Sequence, residues 1–151
     1  MSDPVTYFRI AEGSPLPDIR PYSPFRAVVV LDAAYTDDWQ NKVSCWLVDS
    51  GCLYMMAWGD GCSSWDDSVD WAQIDKYPDG APEAEFVMTT WHENEPLIGV
   101  FSFAQSCAQD PFDLIKHSLI VHVGATDRES ELLALYAQAA AWVEPEENGS
   151  N

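Results

Sequence analysis

Leu53-Tyr-Met-Met-Ala-Trp-Gly-Asp-Gly-Cys-Ser-Ser-Trp-Asp-Asp67 is the stretch on which the reading of the fold turns. Five apolar residues run into Trp58, a Gly-Asp-Gly turn follows, and Ser64 then stands three residues before Asp67. A short continuous apolar run, a turn and a capping-box spacing predict a buried strand feeding a helix, as in α/β proteins. The turn also gathers Trp58, Asp60, Cys62 and Trp65 within a few residues.

Working outward, the same unit recurs. Phe25–Leu31 is a β-branched run without polar alternation, which predicts a strand covered on both faces. Thr36, followed by Asp37 and Asp38, predicts an N-cap and a first turn suited to the positive end of the helix dipole. Trp39, Val43, Trp46 and Leu47 form the inward stripe of that helix, and Gly51 ends it. After Cys52–Trp58, Trp65, Val69 and Ala72 form the next inner face. Phe86–Trp91 is the third strand, with a helix opened by Pro96. Ser118–Val123 is the fourth, with a helix capped by Thr126 and Glu129 and running to about Trp142. Strand–helix alternation, four times over, predicts one α/β domain over residues 25–143, with a four-stranded, mainly parallel sheet and helices on both faces. The common strand order for such a unit is 2-1-3-4. Pro4, Pro15, Pro17, Pro21 and Pro24 mark residues 1–24 as an extended arm, with a short edge strand near Tyr7–Ile10, and residues 144–151 form an acidic tail.

Composition narrows the function classes. Seven Lys and Arg against 25 Asp and Glu give a formal net charge of −18. Such a surface repels nucleic-acid phosphates and anionic lipid, and it speeds encounter with a basic protein. No apolar run is long enough to span a membrane, and the opening Met-Ser-Asp-Pro lacks the character of a signal peptide, so the expected location is the cytoplasm. Cys45, Cys52, Cys62 and Cys107 contain no C-x-x-C pair, which favours free thiols over a disulfide or zinc framework.

A parallel sheet collects the carboxyl ends of its strands on one edge, where ligands bind. That edge brings together Asp32, Asp60, Cys62, His92, Glu93 and the segment Gly124–Asp127. Cys62 before a helix and His92 with Glu93 suggest a nucleophile and its base, but nearby carboxylates oppose thiolate formation. Gly59-Asp60-Gly61 is not a dinucleotide fingerprint and no P-loop is present. Asp32, Asp60, His92 and Glu93 lack ligand spacing on one element, so neither a metal nor a cofactor is expected.

"Strand, Trp, then Gly-Asp or His-Glu" appears at Met56–Asp60 and Thr89–Glu93, with Arg-Pro-Tyr-Ser-Pro-Phe-Arg upstream. This pattern resembles an uncharacterised bacterial family of small acidic α/β proteins over about residues 20–140. The resemblance implies an α/β domain and no particular activity.

The reading that fits best is a non-enzymatic cytoplasmic interaction protein that binds a basic protein partner, in the manner of an immunity protein or antitoxin. Its expected contact residues are Trp58, Asp60, Trp65, Asp66, Asp67, Trp91, His92 and Glu93, aromatic anchors ringed by carboxylates. The alternative is a small enzyme or ligand-binding protein using Asp60, Cys62, His92 and Glu93 at the carboxyl edge of the sheet.

Overall fold

A computed structural model describes residues 4–143. Its strands are β1 (Val5–Ile10), β2 (Phe25–Leu31), β3 (Cys52–Gly59), β4 (Met88–His92) and β5 (His117–Val123). The helices are α1 (Asp37–Ser50), α2 (Ser63–Lys76), α3 (Leu97–Ser106) and α4 (Glu129–Ala139). The strands form one sheet in the order β1-β5-β2-β3-β4, and every neighbouring pair is parallel.

The α/β architecture and the parallel pairing of β2 with β3 agree with the sequence reading. The count of four strands is corrected to five. The proline-rich segment 1–24 contributes β1, which pairs with β5 from Val5↔Ser118 to Ile10↔Val123. No proline falls between Val5 and Ser14, so this stretch keeps every backbone donor that a ladder requires. The strand order, which the sequence leaves open, departs from the common 2-1-3-4. The third predicted strand, β4, lies outside β3, and the fourth, β5, returns to the far side of β2. The acidic tail 144–151 lies outside the described residues.

The two cores follow from the direction of travel. Right-handed crossovers place helices on one face while the chain moves one way across a sheet, and on the other face when it turns back. From β2 through β3 to β4 the chain lays down α1 and α2, which bury Trp39, Val43, Leu47, Trp65 and Val69 with Val29, Met55 and Val121. The return to β5 places α3 opposite, and with α4 it buries Leu97, Phe101, Leu132 and Tyr136 against Val28, Met56 and Ile120.

Helix ends show where local rules held. Thr36 caps α1 through Oγ1, which accepts from Trp39 N–H at 3.3 Å, and Gly51 ends that helix with φ +104°. The Ser64–Asp67 capping box does not form. Gly59 and Gly61 adopt positive φ, the turn closes early, and α2 begins at Ser63. Ser64 Oγ instead accepts from Gln40 Nε2 and donates to the Gly61 carbonyl. Likewise α4 starts at Glu129 rather than at Thr126, and Asp127 Oδ1 accepts from Glu129 N–H at 2.9 Å.

Candidate functional site

In an open parallel sheet the switch point is where successive connections leave in opposite directions. Here it lies between β2 and β5. It is filled by a closed circuit of side chains. Arg128 N–H donates to Tyr7 Oη at 3.0 Å, and Tyr7 Oη lies 2.6 Å from His122 Nδ1. His122 Nε2 lies 2.7 Å from Asp32 Oδ2, which also accepts from the Arg128 guanidinium. The Asp32 carboxylate can only accept, so His122 Nε2 carries the proton that points to it. Gly124 permits this arrangement, since a Cβ there would lie 2.5 Å from His122 Nε2.

Burial works to raise the Asp32 carboxyl, but hydrogen bonds from Arg128 and His122 outweigh it and hold the pKa below the ordinary range. Hydrogen bonds to Glu131 and Asp32 hold Arg128 above its ordinary value. Burial raises the Tyr7 hydroxyl. His122 is 1% exposed, with both ring nitrogens engaged. The circuit therefore ties β1, the β2–α1 loop, β5 and α4 together. Of these residues the sequence reading placed only Asp32 at the carboxyl edge. A histidine inside the apolar run Ser118–Val123 was the available sign, because a buried imidazole needs partners for both nitrogens.

Two clefts open beside this filled point. One, of about 440 Å³, includes Asp32, Tyr35, Asp37, Gln40, Asp60 and Ser64 in its walls. The other, of about 390 Å³, runs between the β3 and β4 loops and includes Trp58, Asp60, His92, Glu93 and Glu95. Neither wall contains Lys or Arg, so both clefts disfavour phosphate and other anions.

The structure divides the residues proposed for catalysis. Cys62 is fully buried and packs in the core beneath α1 and α2. The His92 ring turns to the opposite face, with its centroid 5.2 Å from that of Phe103 on α3. Thr90 Oγ1 lies 2.9 Å from His92 Nε2, and Glu95 lies 3.2 Å from Nδ1. Burial raises the Cys62 thiol, and hydrogen bonding to the His92 backbone pulls the other way without reversing the shift. His92 thus meets Cys62 through its backbone and not through its imidazole. Asp60 is exposed in the turn and Glu93 is exposed after β4.

The proposed contact residues also separate. Trp65 is 0% exposed, and its Nε1–H donates to Tyr35 Oη at 2.8 Å, so it belongs to the core. Trp58 is half-buried and donates Nε1–H to the Glu95 carbonyl at 2.7 Å. Trp91 is 46% exposed on β4. It shares the α2 face with Thr89, by strand alternation, and Thr89 donates its hydroxyl to Asp66. Asp66, Asp67 and Asp70 cluster on α2, and burial together with Asp66 and Asp67 raises the Asp70 carboxyl.

The structure adds neighbours that the sequence reading did not select. Trp71 is 65% exposed, and Ile74, Phe86 and Met88 are also exposed. Trp71 and Ile74 follow Asp67 at helical spacings of four and seven, which extends the outer face of α2. Ile74 and Phe86 share a hollow of about 410 Å³ with Asp70, Tyr77 and Pro78. The α2–β4 flank is therefore a surface of large apolar side chains set among carboxylates.

An open, all-parallel sheet with helices on both faces, its switch point closed by side chains, defines the class. Within that class, residues 5–139 match the model of a family described as a domain of unknown function (DUF7684), and the chain belongs to that family. The match spans β1 as well as the later strand–helix units. Comparison with curated proteins and with solved structures gives no match. Among the described residues, no helix is long and apolar enough to cross a membrane.

Proposed function

We propose that this protein is a non-enzymatic acidic interaction protein that binds a basic protein partner through its α2–β4 flank, in the manner of an immunity protein or antitoxin. The observation that carries the reading is that the neighbouring elements α2 and β4, with the residues leading into β4, leave Trp71, Ile74, Phe86 and Trp91 exposed in a region that also carries Asp66, Asp67 and Asp70. Aromatic anchors supply most of the energy of an interface, while rim carboxylates steer a cationic partner and mask its charge. Between Val43 and Ile115 the only Lys or Arg is Lys76, so the flank lies in the most one-signed part of the chain.

The alternative, chemistry or ligand binding at Asp60, Cys62, His92 and Glu93, has a cleft in its favour. Against it stand the buried, raised thiol of Cys62 and the two engaged nitrogens of His92. The test is retention of proteins from the native host on immobilised wild type and on a Trp71→Ser/Trp91→Ser variant, at about 50 mM and about 500 mM salt. A basic protein held by wild type at low salt, released at high salt and not held by the variant is the expected result. Retention of no basic protein at low salt, or equal retention by the variant, overturns the reading.

A further inference from the structure

The two margins of the sheet are unequal. The β1 margin contains Arg9, whose guanidinium donates to the Gly124 carbonyl at 3.2 Å. The β4 margin reads Met88-Thr-Thr-Trp-His92, with no proline, lysine or arginine, and its register with β3 runs without a shift from Tyr54↔Met88 to Trp58↔His92. Natural sheet edges are normally blunted by such charges, prolines or bulges, because an unpaired row of N–H and C=O groups accepts another strand. No strand pairs with the outer side of β4 among the described residues. Trp91 and Met88, on opposite faces of the strand, are both exposed.

We propose that the outer margin of β4 is a strand-addition site, at which an extended basic segment of the partner pairs with Met88–His92 as a sixth strand. This rests on the reading above that the partner is basic. Charge complementarity selects the occupant. Asp66, Asp67 and Asp70 flank β4 on the α2 face, Glu93 and Glu95 follow its end, and residues 77–115 contain no Lys or Arg. On the opposite face of the strand the exposed Met88 offers apolar contact, so a segment that alternates basic residues, toward α2, with apolar ones, toward Met88, fits better than a run of lysines. In strand addition, backbone hydrogen bonds supply affinity and alternate side chains supply selectivity.

The test uses capped peptides of about ten residues and the full chain at low salt. One peptide alternates Lys and Val, and a second alternates Lys and Gly with the same charge. Two further copies of the first are N-methylated at every second residue, in opposite phases. The Lys-Val peptide is expected to bind about tenfold or more tightly than the Lys-Gly peptide, a ratio set by strand propensity at equal charge. Alternate amides of Met88–His92 are expected to exchange about tenfold or more slowly with that peptide bound. N-methylation in one phase abolishes binding and in the other phase does not, because alternate amides face the host strand. If peptides bind but β4 exchange is unchanged, or both methylated copies bind like the parent, strand addition is refuted and the basic-partner reading stands. If neither unmethylated peptide binds, both fall.

Discussion

Gly124→Ala tests whether the Tyr7–His122–Asp32–Arg128 circuit holds the switch point closed. A Cβ at this position would lie 2.5 Å from His122 Nε2 and 2.6 Å from Cε1, whereas packed atoms sit about 3.5–4.0 Å apart. The ring is 1% exposed and has to move by roughly 1 Å, a distance that breaks its 2.7 Å contact with Asp32 and strains the 2.6 Å contact with Tyr7. Loss of a hydrogen bond to a charged acceptor costs about 1.5–3 kcal/mol and of a neutral one about 0.5–1.5. Replacing glycine by alanine returns about 0.4–1 kcal/mol through the unfolded chain. The expected net loss is about 1.5–3.5 kcal/mol, measured by urea unfolding with an unchanged slope. In a His122→Ala background the new methyl meets no imidazole, so the same substitution costs nothing or stabilises slightly. A double-mutant cycle therefore isolates the clash. An equal cost in both backgrounds, or no cost in the wild type, refutes the account.

Three further outcomes follow from the same geometry. Asp32 has a depressed folded pKa, so its contribution is fully present above the unfolded value, about 3.9, and is lost as pH falls through the folded one. Asp32→Asn should therefore lose less stability than wild type as pH falls below about 4, and acid titrations that superimpose would contradict this. A thiol reagent should modify the exposed Cys45 and Cys107 of the native protein, while Cys62 and Cys52, its thiol pushed up to about 12, react only on unfolding. Trp65→Ala should cost about 3–5 kcal/mol in thermal or chemical unfolding, against about 0.5 or less for Trp71→Ala; similar costs would mean the burial assignments are wrong.

Much of the architecture was legible because the buried strands announce themselves as unbroken apolar runs. Phe25–Leu31 and the greater part of Cys52–Gly59 are buried, as that pattern requires. The edge strand expected near Tyr7–Ile10 is β1, because Val5-Thr-Tyr-Phe-Arg-Ile10, rich in β-branched and aromatic residues, lies wholly within a proline-free interval of the arm. Strand order was not legible, since it depends on where α3 recrosses the sheet and not on any local preference. Trp65 is the sharper lesson. The stripe Trp65, Val69, Ala72 already directs it inward, so treating it as a surface anchor ignored the helix periodicity that placed it. The same periodicity leaves Trp71 and Ile74 off the stripe, and both are exposed. His122, Tyr7 and Arg128 come from three separate elements and meet only once β1 pairs with β5, so no spacing in the sequence joins them.

The closure of the switch point bears on where function can reside. In this architecture a ligand ordinarily enters the crevice between the diverging connections, using helix N-termini and backbone donors there. Here Arg128, the cation that would greet an anion, is already bound by Asp32 and Glu131. The neighbouring clefts offer carboxylates and no Lys or Arg in their walls. An anionic substrate would have to displace internal ion pairs and enter a negative field, two costs of the same sign. A cation meets neither cost. It would be drawn to this edge and, more strongly, to the flank where Asp66, Asp67 and Asp70 stand beside exposed tryptophans. Charge alone would hold such a cation weakly and reversibly with salt. Apolar contact with Trp71, Ile74, Phe86 and Trp91 adds a term that salt does not screen. A partner captured by both should therefore show an association rate that falls steeply with ionic strength and a dissociation rate that changes little, whereas a merely electrostatic contact would lose both speed of capture and residence time together.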